Sequence, residues 1–338
     1  MPKSSTAPDA EAHSIHAPDT ARYAKTLPAM TRPRQALIRL LLALPALLIP
    51  NITAARLVIT FTGDILLDRG VRRRIEAAGI DALFTPEIDS VLQASDFVIG
   101  NLECPATTVH APAHKKFVFR AEPQWLDALR RHGFTHLNLA NNHSVDQGRR
   151  GLEDTHRQVA AHGMTPIGAA PTAAQAATPD TITAGKRVFL LPTLRMPLEH
   201  FVPLPQRWSV SQEPDSGIIR RVADLRRHNP ADVIIVMPHW GWEHHIQPTG
   251  LQRRLAYALI DAGADCIIGH HTHTMQTVEI YRGRHIYYSI GNFIFDQQRP
   301  INTRACMVTL NIEPDTLRVT TIPLQIRRCT PHIQTAKP

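Results

Sequence analysis

Short apolar runs alternate with amphipathic stretches along most of the chain. Residues 57–61, 97–99, 136–139, 164–167, 187–191, 232–237 and 266–268 are apolar and rich in branched side chains. They are too short for helices and read as buried strands. Between them, residues 69–78, 123–131, 151–163 and 251–262 read as helices, with Gly163 and Gly263 closing the last two. Residues 277–281 and 285–289 flank Arg282-Gly283-Arg284 and predict a hairpin; strands over 306–312 and 317–324 follow. Near-continuous apolar strands are covered on both faces, so the pattern predicts an α/β domain on a largely parallel sheet.

A different texture precedes Arg56. Residues 1–31 are rich in Ala, Pro, Ser and Thr, lack periodicity, and read as a disordered extension. Arg32, Arg34 and Arg39 then lead into an apolar core over residues 40–49, followed by Thr53-Ala54-Ala55. That order predicts a signal peptide over 32–55, cleaved after Ala55. The core is short for a membrane span, and Pro45 interrupts it. Met30, just ahead of the basic segment, is an alternative start. The expectation is an exported protein of the periplasm or cell envelope, with its domain over 56–326 and a tail over 327–338.

Composition adds little to this and removes one class of partner. Of the 338 residues, 43% are hydrophobic and 20% charged, as in globular domains. Part of the net charge of +8 lies before Arg56, and no dense Lys/Arg block follows it. Nucleic acid is therefore not an expected partner, whereas an anionic substrate is compatible. Cys104, Cys266, Cys306 and Cys329 show no CxxC spacing. Cys266 reads as a buried thiol, a Cys306–Cys329 disulfide is left open, and spacing assigns Cys104 no base that would make it a nucleophile.

Candidate chemistry comes from where the polar residues fall. Five buried strands run into Asp, Asn, Glu or His: Asp64, Asn101 with Glu103, Asn142 with His143, His239, and His271 with His273. Ligands of open α/β folds bind beyond the carboxyl ends of strands. Any one of these residues alone would be unremarkable. Asp64 would cap a turn or helix, Asn141-Asn142 and Gly291-Asn292 would be turns, and His244 and His245 would be surface residues. The constellation offers carboxylate, amide and imidazole donors without thiolate, which suits one or two divalent ions such as Mn, Fe or Zn. On an extended segment His271 and His273 would point the same way and face one metal. His143 is placed to protonate a leaving group, with Asp146 orienting it. Arg69, Arg120 and Asn292 are the candidates for holding substrate.

Longer blocks around these residues resemble bacterial capsule-synthesis proteins of the CapA/PgsA type. They are Gly63-Asp64-Ile65-Leu66-Leu67-Asp68-Arg69, Gly100-Asn101-Leu102-Glu103-Cys104-Pro105, Phe117-Val118-Phe119-Arg120, Ala140-Asn141-Asn142-His143-Ser144-Val145-Asp146-Gln147-Gly148 and Pro238-His239-Trp240-Gly241-Trp242-Glu243. To these add residues 263–273, which contain Gly269-His270-His271-Thr272-His273, and residues 288–296, which contain Gly291-Asn292. The resemblance implies a calcineurin-like metallo-dependent phosphatase fold, a four-layer αββα sandwich. It further implies work in poly-γ-glutamate capsule synthesis at the envelope, with a membrane-bound synthesis complex as partner. It makes Asp64 the first metal-ligand aspartate, Asn142-His143 the Asn-His pair, His239 the isolated histidine and His271-x-His273 the terminal pair. Two positions depart from that superfamily's usual pattern. Leu66 stands in place of a histidine, and Asn101 in place of a bridging aspartate, so one metal position is expected to be weak, rebuilt by Glu103, or absent. Two functions follow. One is a metal-dependent hydrolase acting on a phosphoester or amide bond of an anionic envelope polymer or its precursor. The other is a non-catalytic component that binds such a polymer and assists its synthesis or export.

Overall fold

The computed structural model describes residues 56–334, so the expected extension and signal peptide lie outside the described residues. Sixteen strands run in chain order: β1 (Leu57–Ile65), β2 (Phe97–Leu102), β3 (His136–Asn138), β4 (Thr165–Ile167), β5 (Ala169–Ala170), β6 (Asp180–Ala184), β7 (Lys186–Leu194), β8 (Ser209–Val210), β9 (Val233–His239), β10 (Cys266–Ile268), β11 (Val278–Tyr281), β12 (Arg284–Tyr287), β13 (Asn292–Ile294), β14 (Arg304–Ile312), β15 (Leu317–Arg327) and β16 (Thr330–Ile333). The helices are α1 (Arg69–Ala78), α2 (Pro86–Gln93), α3 (Leu126–Arg131), α4 (Gly148–Ala161), α5 (Ala173–Ala176), α6 (Asp215–His228) and α7 (Gly250–Ala262).

Two large sheets, with a separate two-stranded pair of β5 and β8, replace the single, largely parallel sheet that the pattern predicted. The first has the order β16-β15-β14-β1-β2-β3-β4, with β13 also on β1; the second is β11-β12-β10-β9-β7-β6. Each is parallel in its centre, β1 to β4 and β12-β10-β9-β7, and antiparallel at one or both edges. The edges are where sequence reasoning failed. Strand β6 alternates burial, α6 has a weakly apolar face, and β16 falls in what reads as a tail, yet β16 pairs with β15. Among the described residues all four cysteines are free, so no Cys306–Cys329 disulfide forms.

The buried strands explain the layering. Along β9, Val233, Ile235 and Met237 point into an apolar layer shared with Ile59, Phe61 and Ile99 of the first sheet. The alternate residues Ile234 and Val236 pack against Ile218 and Val222 of α6 and Leu255 and Leu259 of α7. A third cluster joins the other face of the first sheet to Val71, Ile88, Leu126 and Leu152 on α1 to α4. Three apolar cores between four layers make the αββα sandwich, and they account for strands that are apolar on both faces.

Glycine brings backbone into contact where the site begins. A Cβ on Gly63 would lie 2.0 Å from the Gly291 carbonyl oxygen, the same oxygen that accepts from Asp64 N at 3.0 Å. Only hydrogen fits between β1 and the turn before β13. Gly63→Ala is expected to force these strands apart, lower stability by about 1–3 kcal/mol in denaturant unfolding, and displace Asp64. An unchanged unfolding midpoint would show that the turn yields freely.

Candidate metal centre

Register places polar groups side by side. Asp64 pairs across the first sheet with Asn101 on one side and Asn292 on the other, and Asn101 pairs with Asn138. A polar rung therefore crosses an otherwise apolar sheet at one level. In the second sheet, His239 at the end of β9 bridges to His270. Loops after β3 and β10 bring in Asn142 and His143, and His271 and His273. Asp64, Asn101, Glu103, His239 and Asn292 are fully enclosed, and His143, His271 and His273 nearly so.

The His-x-His segment is a loop, not a strand. Both residues adopt positive φ, 95° at His271 and 54° at His273, and their rings stand 6.2 Å apart. They therefore belong to two groups of donors rather than facing one ion together. Glu103, His239 and His271 form one group and Asp64, Glu103 and His273 the other, the donor atoms of each lying within 4.8 Å of one another. Glu103 is the shared corner.

Asn101 enters the cluster in the opposite sense from a metal ligand. Asn138 Oδ1 accepts from Ala140 N at 2.8 Å, which turns the Asn138 amide nitrogen toward Asn101 Oδ1 at 3.1 Å. Asn141 Oδ1 likewise accepts from His143 N, sending its nitrogen to the same Asn101 oxygen at 3.3 Å. Two backbone N–H groups thus settle the orientation of a chain of amides. Asn101 Nδ2 consequently donates to Asp64 Oδ1 at 2.8 Å and faces His239 Nδ1 at 3.4 Å. Asn101 is a donor that orients Asp64; its oxygen is already occupied. Leu66, where a histidine was expected by resemblance, is fully buried and apolar.

The electrostatics leave one group uncompensated. Neither oxygen of Glu103 has a hydrogen-bond partner, and the imidazole nitrogens His239 Nε2 and His273 Nε2 are each 3.7 Å from Oε1. Burial, and then the neighbouring Asp64 carboxylate, push the Glu103 carboxyl well above its usual range. Burial, reinforced by the other imidazoles, holds His239 far below the ordinary histidine value and His271 down at about 3. At Asp64 burial pushes upward, but the His273 hydrogen bond, the charges of His270 and His273 and the Asn101 bond together outweigh it. The result is two neutral imidazoles, His239 and His271, beside an unpartnered carboxyl. A buried carboxylate without donors costs several kcal/mol, and neutral imidazole with carboxylate oxygen is the donor set that a divalent cation needs. The residues fit such an ion. Asn142 Oδ1, 2.8 Å from His239 Nε2, extends the set with an amide oxygen.

Beside the cluster, His143 Nδ1 is 2.8 Å from Asp146 Oδ2, the pairing expected from the sequence. Asp146 also accepts from Phe119 N at 2.7 Å and is ion-paired at 2.6 Å with Lys115, which sequence reasoning missed. Lys115 is nearly buried and its Nζ donates to the Asn142 carbonyl at 3.0 Å. No motif marks it; it sits beside Lys116 in what reads as a polar loop. Phe119 packs against His143 and Phe295 against His273, and the Arg69 guanidinium lies 4.9 Å and 5.5 Å from those two rings while pairing with Asp296. Arg69 therefore reaches the rim of the cluster. Arg120 does not, because its guanidinium binds Glu122 at 2.6 Å and the Thr107 carbonyl at 2.9 Å. Asn292 is also not free for substrate. Its Oδ1 is 3.0 Å from His273 Nδ1, and its Nδ2 bonds the Asn302 carbonyl at 3.0 Å, so it orients His273. Cys104 is buried, accepts from Leu67 N, and is pushed up by burial, which leaves it inert as a nucleophile.

The amide orientation has a measurable consequence. Asn101→Asp would set two carboxylates in contact within a closed site. Without divalent ions the variant is expected to melt several degrees below the parent; with them, it should bind more tightly and recover. Equal melting temperatures in chelator would contradict the orientation of Asn101.

Comparison with known proteins places this geometry. The family model described as "Bacterial capsule synthesis protein PGA_cap" matches residues 58–297. The chain is 31% identical over 277 residues to the PGA biosynthesis protein CapA of Bacillus subtilis, covering 80% of this chain and 72% of that one. It is 32% identical over 288 residues to the capsule biosynthesis protein CapA of Bacillus anthracis, covering 82% and 69%. Among solved structures, the NAD nucleotidase of Haemophilus influenzae aligns with a TM-score of 0.48 and 10% identity over 83% of this chain and 60% of that one, too slight a likeness to bear on function. By motif order, family match and extent of identity, the chain belongs to the bacterial capsule synthesis proteins of the PGA_cap family.

Proposed function

We propose that this protein is an exported, metal-dependent hydrolase of capsule synthesis, cleaving a phosphoester or amide bond in an anionic envelope polymer such as poly-γ-glutamate or in its precursor. The observation that carries this reading is the Glu103 carboxyl, enclosed without a donor between His239, His271, His273 and Asp64 and next to the His143–Asp146 pair. Asp64, Glu103, Asn142, His239, His271 and His273 would hold one or two ions, with Glu103 common to both groups. When bound, such ions act as Lewis acids on a phosphoryl or carbonyl oxygen and ready a water for attack.

The chain's own residues supply the proton handling. Asp146 accepts the Nδ1 proton of His143, which directs the Nε2 lone pair outward. In that form Nε2 takes a proton, and once protonated it delivers one to the leaving group. Lys115 holds Asp146 from behind and the Asn142 carbonyl from the side, so it fixes base and ligand together. Arg69, backed by Phe119 and Phe295, offers positive charge to an anionic substrate at the rim. Residues 32–55 would direct export, and the partner would be a membrane-bound capsule-synthesis complex.

A second reading keeps the site for binding alone, in a component that assists polymer synthesis or export. The N–H that Asn101 presents to Asp64, in place of a bridging oxygen, favours it.

Metal analysis of the purified chain, followed by assays on phosphodiesters and on poly-γ-glutamate, separates the two. Glu103→Gln is expected to lose most bound metal while remaining folded. Asp64→Asn and His143→Ala should each lower turnover at least a hundredfold, His143→Ala with metal retained. Full activity in both variants would sink the hydrolase, and polymer binding by a metal-free, inactive chain would establish the second reading. Lys115→Met is expected to lower kcat about tenfold or more without releasing metal; unchanged kcat would reduce Lys115 to a structural ion pair.

A further inference from the structure

We infer that His244 is a substrate-contacting residue whose Nε2–H donates to an anionic oxygen, phosphoryl or carboxylate, of the molecule bound over the metal cluster. From its sequence position it reads as a surface histidine. In the fold it is fastened to the cluster at both backbone and side chain. Its backbone N donates at 2.8 Å to the carbonyl of Thr272, the residue between His271 and His273. Its φ is +61°, a conformation uncommon outside glycine, which it shares with Arg69, His271 and His273. Its ring lies 6.3 Å from that of His273.

The tautomer follows from its neighbour. Fully buried Asn302 donates through Nδ2 to the His273 carbonyl at 2.8 Å, which identifies that atom as nitrogen, and the second hydrogen of the same Nδ2 is shared between Thr274 Oγ1 and His244 Nδ1, each 3.0 Å away. An imidazole nitrogen facing an amide N–H is an acceptor, so the His244 proton resides on Nε2. No acceptor lies within hydrogen-bond distance of Nε2: the nearest carboxylate oxygen, on Glu243, is 3.7 Å away. The His244 side chain is 29% exposed, whereas His143, His239, His271 and His273 are each enclosed. His244 is thus a positioned donor at the open side of the cluster. Arg69 contacts Phe295, which packs against His273, so His244 approaches the cluster through a different side-chain contact than Arg69 does.

The inference rests on the metal-site reading above, and its test keeps the two apart. Manganese-loaded full-length protein, His244→Phe and His244→Gln are titrated calorimetrically with inorganic phosphate and with a γ-linked glutamate trimer, with metal content measured on each. Kinetics on a phosphodiester run in parallel. His244→Phe is expected to weaken one or both anions about tenfold or more, raise KM more than it lowers kcat, and keep parental metal content. His244→Gln, which retains an N–H, should restore most of the loss. Loss for phosphate alone assigns a phosphoryl contact, and loss for the trimer alone a carboxylate contact. Binding by His244→Phe within twofold of the parent overturns the inference. So does a parent that binds neither anion, or a loss of metal that accounts for the loss of binding. A parent that binds anion but turns over no substrate defeats the hydrolase reading and leaves His244 decided by the titration.

Discussion

The buried Glu103 carboxyl is the constraint around which the rest of the site is arranged. An ionisable group with no donor inside a closed fold is unfavourable unless something positive meets it. His239 and His271 cannot, because the same burial keeps them neutral. Burial favours a proton on Glu103, which relieves the charge but removes a metal donor. A divalent cation satisfies all of these groups together, which is why the cluster makes chemical sense as a site rather than as a polar flaw in a core.

Around that centre, the chain spends many side chains on orientation. Asn138 and Asn141 take their direction from backbone N–H groups and pass it to Asn101, which passes it to Asp64. Asn292 holds the ring of His273 and Asn302 its carbonyl. Lys115 and the Phe119 backbone hold Asp146, and through it His143. These side chains touch the ligand donors rather than a bound molecule, as rigid sites require.

The sequence made much of this legible and some of it unreadable for definite reasons. Helix α1 and strand β10 fall where periodicity puts them, and α7 begins one residue early because Thr249 and Gln252 form a capping box. The strand ends carrying Asp64, Glu103, His239 and His271 were readable because buried apolar runs stop abruptly at polar residues. The division into two sheets was legible in the family resemblance but not in the apolar pattern, since a strand covered by helix and a strand covered by another sheet present the same unbroken apolar run. Orientation was equally invisible. Asn101, Asn292 and Arg120 are in the motifs, but whether an amide offers oxygen or nitrogen, or a guanidinium is already paired, depends on partners 13 to 37 positions away. Lys115 carries no local signal at all, because its burial is conferred by Asp146 and Asn142 from another loop.

The donors come from β1 and β2 in one sheet and from β9 and the loop after β10 in the other, so the first and last lie more than two hundred residues apart along the chain. Such a set assembles only after both sheets have formed and closed upon each other. An ion bound there would therefore do little for the rate of folding, since its ligands are not yet gathered in the transition state. It would act on the reverse reaction, as a rivet across the seam between the sheets, lengthening the lifetime of the native state rather than shortening the time to reach it.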